Sequence, residues 1–355
     1  MKRQNLWIML LFLANLAWGQ NTVPSNVKNE ASSQLSPKES RKLQKTLYAL
    51  QWKAASGNTR AQYELGYILF LAKDYVSSEE FLKKAAKKGH ADAQFMLGLF
   101  YSEGMGVRKS YQEAVRWWRQ AASQDNADAL SSLGDCYLKG DGVENNPAEA
   151  VNLFQKAVAQ GNVYAMLALG RCYEYGEGVE QNMLQAVHYY EKALEADVRT
   201  LALLAEIPGI LGNDPLALSH ILYKYEAKLR LACIYGLGKG GVQKNVSKAY
   251  DLLKEEADTY ANAQVLLGNI YYEDGTNGAP DSYEKAVSFF SKAKADNDAS
   301  LSGAAAFFLS KCYRFGRGVP KDVAKADTLL KEATEKGWNE AKTLDDLLKK
   351  VTTSD

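Results

Sequence analysis

The chain has 355 residues, a formal charge of +1, three histidines and 46% hydrophobic residues. So even a charge balance leaves no broad electrostatic footprint for nucleic acid or anionic lipid. The length exceeds one ordinary core, which fits either two domains or an architecture that grows by repetition.

At the start, Lys2 and Arg3 precede an apolar run from Leu6 to Ala17, and Ala17-Trp18-Gly19 supplies small residues around a cleavage point. Residues 1–19 read as an export signal, too short to span a bilayer and without a stop-transfer flank. An uncleaved anchor is the alternative; the lack of a Cys near the cleavage point argues against a lipoprotein anchor. Export places the mature chain in the periplasm or outside the cell. Residues 20–36 are polar and nearly free of large apolar groups, the composition of a disordered tether. No later apolar stretch is long enough to span a membrane, so no integral segment is expected after signal removal.

Ser36-Pro37-Lys38-Glu39 is a capping box with proline at the first helical position, and it opens a helix from Pro37 to about Ser56. Then a beat begins. Gly104-Met105-Gly106-Val107, Gly140-Asp141-Gly142-Val143 and Gly176-Glu177-Gly178-Val179 stand 36 residues apart. Gly316-Arg317-Gly318-Val319 repeats it, and Gly238 to Val242 and Gly275 to Gly278 are looser copies. A fixed period of this size marks stacked repeats.

Ala91 to Asn126 serves as the reference unit. Ala93, Leu97, Gly98 and Tyr101 lie at helical spacing on a helix A over about 91–102. Gly104 suits the left-handed residue that ends such a helix. Ser110 and Glu113 then form a capping box for helix B, which turns Ala114, Trp117, Trp118 and Ala121 inward. The helix B caps at matching positions are Asp74, Ser110, Asn146, Asn182, Asn245, Ser282 and Asp322. The paired bulky residues are Phe81-Leu82, Trp117-Trp118, Leu153-Phe154, Tyr189-Tyr190, Leu252-Leu253, Phe289-Phe290 and Leu329-Leu330. These sets define seven units.

Departures from the pattern are informative. Thr59 to His90 is a shortened unit in which Ala72-Lys73-Asp74 replaces the glycine turn. Glu256 stands where other units have Ala, which a local shift that turns Ala257 inward would explain. Arg199 to Tyr225 breaks the pattern: Ile207-Pro208-Gly209 ends a short apolar helix, and Asp214-Pro215 opens another that can run through Tyr223 into the next helix A. Ala341, Leu344, Leu347, Leu348 and Val351 make the stripe of a last helix. The expected organisation is therefore a capping helix with repeats 1–4 over 37–198, an irregular break over 199–224, repeats 5–7 over 225–338, and a C-terminal capping helix over 339–355.

No catalytic or metal motif is found, and no cofactor is expected. His90, His188 and His220 have no second His, Cys or carboxylate at ligand spacing. The glycine turns lack the preceding strand and the Lys-Ser/Thr of phosphate loops. Cys136, Cys172 and Cys312 share one helix A position, with Cys233 within a residue of it. Packed helices sit about 8–10 Å apart, whereas a disulfide wants Cα atoms within about 7 Å. Buried free thiols are expected.

The pattern Ala-x-x-x-Leu-Gly-x-x-Tyr, the Gly-x-Gly-Val turn and the Ala-x-x-bulky-bulky-x-x-Ala helix B resemble the Sel-one-like repeat family, a cousin of the tetratricopeptide repeat. The resemblance covers Thr59 to Trp338. It implies an all-α fold: a right-handed α/α superhelix, or solenoid, of about seven antiparallel helix pairs with terminal capping helices. It implies an adaptor for proteins or peptides, with helix A lining the concave side. Some relatives bridge two Cys within a repeat, but here the second is missing.

Carried onto this chain, the groove positions are Tyr63, Tyr67 and Phe70 in the first unit, Phe95 and Leu99 in the second, and Asp128 and Asp135 in the third. Arg171, Glu174 and Tyr175 follow in the fourth, Asn269 and Tyr272 in the sixth, and Lys311, Arg314 and Phe315 in the seventh. Tyr63, Tyr67, Phe95 and Leu99 either form a slot for an apolar peptide anchor or are covered by the Pro37 to Ser56 helix or the tether. The resulting expectation is an exported, non-enzymatic scaffold for a protein or peptide. The alternatives are a hydrolase acting on cell-wall or antibiotic substrates, as proposed for some exported relatives, and a carbohydrate-binding surface protein.

Overall fold

A computed structural model describes residues 37–196 and 215–338. Among these residues are fifteen α-helices and no strand. Helix α1 (Pro37–Ala55) comes first. Seven pairs of an A and a B helix follow: α2 (Thr59–Leu71) with α3 (Tyr75–Lys87), α4 (Ala91–Glu103) with α5 (Tyr111–Ala122), and α6 (Ala127–Lys139) with α7 (Pro147–Ala159). Next come α8 (Val163–Tyr175) with α9 (Met183–Glu195) and α10 (Pro215–Leu237) with α11 (Val246–Leu253). The last two pairs are α12 (Ala261–Thr276) with α13 (Ser282–Ala293) and α14 (Ala299–Phe315) with α15 (Val323–Glu335). The export signal, the tether, most of the expected break (199–214) and the terminal helix expected over 339–355 lie outside the described residues. Helix α10 starts at Pro215 and runs unbroken through Tyr223 into the fifth A helix.

The described residues pack as two compact units. One holds residues 37–169, 177–179, 196 and 215–221; the other holds 170–176, 180–195 and 222–338.

Each turn uses its two glycines differently. The first ends the A helix in the left-handed region: φ is 76° at Gly104, 78° at Gly140 and 68° at Gly316. There an L side chain would be strained. The second lets the turn press on the first turn of the preceding B helix. A Cβ at Gly142 would stand 2.6 Å from the Tyr111 carbonyl carbon, and one at Gly178 2.3 Å from the Pro147 oxygen. In the shortened first pair, Lys73 takes the left-handed role at φ 55°.

Six of the seven expected B-helix caps form: Asp74, Ser110, Asn146, Asn182, Asn245 and Asp322 each accept the amide three residues on. Ser282 does not. Gly275 is still helical, because α12 runs on to Thr276, and α13 begins one residue early with Ser282 inside it. The Ser282 hydroxyl instead donates to Asp274 Oδ2 at 2.7 Å. The Ser110–Glu113 capping box also forms in only one direction. The Ser110 amide that would receive the Glu113 carboxylate donates to the Tyr101 carbonyl at 2.8 Å. This bond recurs from Asn146 to Tyr137, Asn182 to Tyr173, Asn245 to Tyr235 and Asp322 to Tyr313. It ties the start of each of these B helices to the end of its own A helix, so the cap residue's own amide needs no side-chain acceptor.

Inside each pair, the small A-helix residue meets the second bulky residue of helix B. A Cβ on Gly98 would fall 2.1 Å from Trp118 Nε1, on Gly134 2.4 Å from Phe154 Cε1, and on Gly170 2.3 Å from Tyr190 Cε1. In the fifth pair Ala232 takes this place, and its partner is the smaller Leu253. The first bulky residue stacks on the A-helix tyrosine, as Tyr189 does on Tyr173 and Phe289 on Tyr271, with ring centroids 5.6 and 5.9 Å apart. Burying each large side chain is worth roughly 1.5–3 kcal/mol.

Neighbouring pairs share a second lock. Gln94 Nε2 donates to the Ala86 carbonyl, Gln264 Nε2 to that of Ala257, and Ser302 Oγ to that of Lys294. Gln62 makes the same bond to Ala54 of α1, so α1 occupies the place of a preceding B helix. Its Leu47, Leu50 and Ala54 are buried. In the fifth pair α11 stops at Leu253, and the 3-10 turn Glu256–Asp258 brings Ala257 inward while Glu256 pairs with Lys228.

Candidate interaction surface

The A helices supply the candidate binding positions, and most of those in the first unit are already in use. Tyr63 stacks on His90 with centroids 4.5 Å apart, Tyr67 leans on Tyr63 and Phe70, and Phe70 meets Phe100 and Tyr75. Tyr63, Tyr67, Phe70 and Phe95 are buried, and Leu99 is half-buried. The expected aromatic slot is not open: its aromatic rings are buried, and Tyr63, Tyr67 and Phe70 pack on one another. His90 also caps α4, its Nδ1 accepting the Ala93 amide at 3.4 Å. Burial lowers its pKa below the usual histidine value; Arg60 acts the same way, and Asp92 and Glu64 oppose.

The two aspartates of the third pair serve as links. Asp128 accepts the Asn162 side-chain amide at 2.7 Å, while Asn162 caps α8 through the Ala165 amide. One repeat earlier, Asn126 caps α6 and donates to Asp92 at 2.8 Å. Asp135 accepts the Tyr164 hydroxyl and lies 4.0 Å from Lys139.

In the second unit, Glu174 joins a buried polar network. Its Oε2 accepts the Tyr190 hydroxyl at 2.6 Å and Arg230 Nη1 at 3.0 Å. Arg230 is 2% exposed, and its Nε reaches Glu226 at 2.8 Å. Its guanidinium lies over Tyr175 and donates to the Tyr175 hydroxyl at 3.1 Å; Arg171 approaches Glu226 at 3.7 Å. Burial works against the charge of Arg230, but Tyr190, Glu226 and Glu174 outweigh it and hold the pKa above its ordinary value. Burial also pushes the Tyr190 phenol well up. Arg171 and Glu174 thus bind α8 to α10, and Tyr175 remains 40% exposed.

At the last two pairs, Asn269 and Tyr272 of α12 are buried, Lys311 and Arg314 of α14 half-buried, and Phe315 60% exposed. Arg314 pairs with Asp327 at 2.6 Å. Lys311 lies over the Phe307 ring at 4.5 Å. Arg317, the variable residue of the last glycine turn, sits among three rings: Tyr272 at 5.1 Å, Tyr283 at 5.4 Å and Phe315 at 5.2 Å. Its Nη1 also donates to the Tyr272 hydroxyl. Tyr175 and Phe315 hold the same register position, two residues past the A-helix tyrosine.

The Sel1 repeat model matches residues 59–90, 91–126, 127–162, 163–198, 226–255, 261–298 and 303–338. The chain belongs to the Sel1 repeat family. A Sel1 repeat protein from Oxalobacter formigenes is similar, with 25% identity and a TM-score of 0.56 over 79% of this chain and 99% of that one. A protective antigen present in uropathogenic Escherichia coli strains and displaying an SLR fold is 27% identical, with a TM-score of 0.49 over 92% of this chain and 76% of that one. No curated protein matches the chain. The fold class is thus the all-α helix-pair repeat of Sel1 solenoids, a scaffold type of fold typical of protein–protein interaction.

Within this Sel1 chain, Arg230, Glu226 and Arg317 were not singled out from the sequence. Arg230 carried only a weak signal: its register position is apolar in Met96, Ala168, Leu266 and Phe308 but polar in Glu64 and Ser132. Arg317 carried none, because the residue between the glycines is variable. All four cysteines are buried and none is in a disulfide, and burial raises the thiol pKa of Cys136 and Cys312 to about 12. Among the described residues no three His, Cys, Asp or Glu side chains group as metal ligands, and no helix is long and apolar enough to cross a membrane.

Proposed function

We propose that this chain is an exported, non-enzymatic scaffold that holds a protein or peptide partner on its A-helix surface. The observation that carries the reading is the recurrence of an exposed aromatic at one register position, Tyr175 and Phe315, each under an arginine. Desolvated core rings hold a fold together, whereas exposed rings beside cations are the anchors that dominate protein recognition. The family's scaffold fold supports the same reading. Export rests on Lys2, Arg3 and the apolar run that follows.

Photocrosslinking of the full chain in the cells that make it, comparing wild type with Tyr175→Ala and Phe315→Ala, tests binding. A crosslinked partner that disappears in at least one variant is the expected outcome. Equal crosslinking in both would move the surface elsewhere. A fusion of residues 1–36 to a reporter active only outside the cytoplasm tests export, and a silent reporter would overturn it.

A further inference from the structure

The cationic aromatic patch at the last turn identifies a partner chemistry. Arg317 is held by three rings, with only one of its guanidinium donors engaged by a side chain. Among the described residues, neither Arg317 nor Lys311 makes an ion pair, in contrast to Arg314 with Asp327 and Arg230 with two glutamates. Lys311 lies four residues before Phe315 on α14, so both face the same side of the helix. The Arg317 guanidinium carbon lies 5.2 Å from the centroid of the Phe315 ring. An exposed apolar ring therefore has one cation without a counter-charge packed against it, and a second one helical turn away with its ammonium over the Phe307 ring.

The Arg317 guanidinium is pre-organised. Three ring contacts and the bond to the Tyr272 hydroxyl hold it in place, so a carboxylate that docks there does not have to order a long side chain. A charge-assisted bond to a fixed guanidinium is about twice as strong as a neutral one. The ring supplies the apolar contact, and Lys311 adds a positive charge one helical turn away.

We propose that Lys311, Phe315 and Arg317 form a docking site for an acidic peptide segment of a partner protein, with a carboxylate on Arg317 and an apolar side chain on Phe315. This rests on the scaffold reading and gives it a ligand class. A membrane surface is the less fitting occupant, because one ring and two cations between an internal ion pair and a buried tyrosine suit a narrow ligand better than a sheet of headgroups.

The test is selection of a random dodecapeptide display library on the full chain, followed by titration of the selected peptides by fluorescence anisotropy. Peptides with Asp or Glu next to an aromatic or aliphatic residue are expected. Arg317→Gln and Phe315→Ala should each weaken them about tenfold or more, as truncation of an anchor does. Lys311→Gln should weaken them less, and Arg317→Lys should fall between wild type and Arg317→Gln. Binding should fall as salt rises from about 0.05 to about 0.5 M. Circular dichroism melts confirm that each variant is folded, and Lys311→Gln at the helix surface keeps the test valid if Arg317→Gln is not.

Selected peptides that lack acidic residues, or whose binding ignores Arg317 and Phe315, overturn this inference and leave the scaffold reading standing. A library that yields no binder overturns both. Arg317-dependent sedimentation with phosphatidylcholine–phosphatidylglycerol vesicles, without peptide binding, replaces the peptide with a membrane.

Discussion

Gly134→Ala should destabilise the third pair even though alanine is the better helix former. The new Cβ would stand 2.4 Å from Phe154 Cε1 and 2.8 Å from two further ring carbons. Phe154 is fully buried, so its ring cannot swing away. Overpacking of this severity costs about 3 kcal/mol, while helix propensity returns about 1 kcal/mol. The net loss is about 2 kcal/mol. The fifth pair shows the remedy, because there Ala232 faces Leu253 instead of an aromatic ring. Phe154→Leu alone should cost about 1 kcal/mol through the void it leaves. In the double variant the void and the extra methyl offset each other, and the total should stay near about 1 kcal/mol, not the additive sum of about 3. Hydrogen exchange of the α6 and α7 amides is the assay, since repeat arrays do not unfold in one step. A neutral Gly134→Ala, or a double variant that loses the full sum, would refute the reasoning.

Three further outcomes follow from the same geometry. Gly142→Ala should cost more than Gly140→Ala: both glycines have positive φ, but only Gly142 would press a Cβ on backbone, 2.6 Å from Tyr111, whereas Gly140 meets nothing nearer than 3.6 Å. The excess, about 1–2 kcal/mol by local exchange, separates steric contact from backbone strain. Arg230→Met strands Glu174 without its cation and leaves Glu226 only the longer contact to Arg171; it should cost about 3–5 kcal/mol in the α8–α10 region, read as faster exchange there and unchanged exchange in α4–α7. For His90, the folded pKa lies below the unfolded one, so its stabilisation is full above the unfolded pKa of about 6.5 and fades as pH falls through the folded value. His90→Asn, the cap used at Asn126 and Asn162, should remove that acid sensitivity from melting curves; an identical pH dependence would refute it.

The sequence by itself determined whatever repeats locally. The left-handed glycines, the side-chain caps, the small-residue position facing the bulky pair and the number of units are all set within a few residues or one hairpin, where periodicity reports them. Even the continuous run of α10 was legible in Pro215 and the apolar spacing after it. Ser282 was misread because the loosened turn around Gly275 shifts the helix start by one residue, and a cap is defined by where the helix begins.

Only the tertiary structure decided which A-helix residues remain available. Tyr63, Tyr67, Phe70 and Phe95 occupy groove register yet are buried, Tyr63, Tyr67 and Phe70 packing on one another and Phe70 also on Phe100 of the next pair. Glu174 and Arg230 meet across 56 residues, and Arg317 and Tyr272 across 45. Such pairs depend on how one repeat stacks on the next, a relation that a pattern confined to a single repeat does not encode.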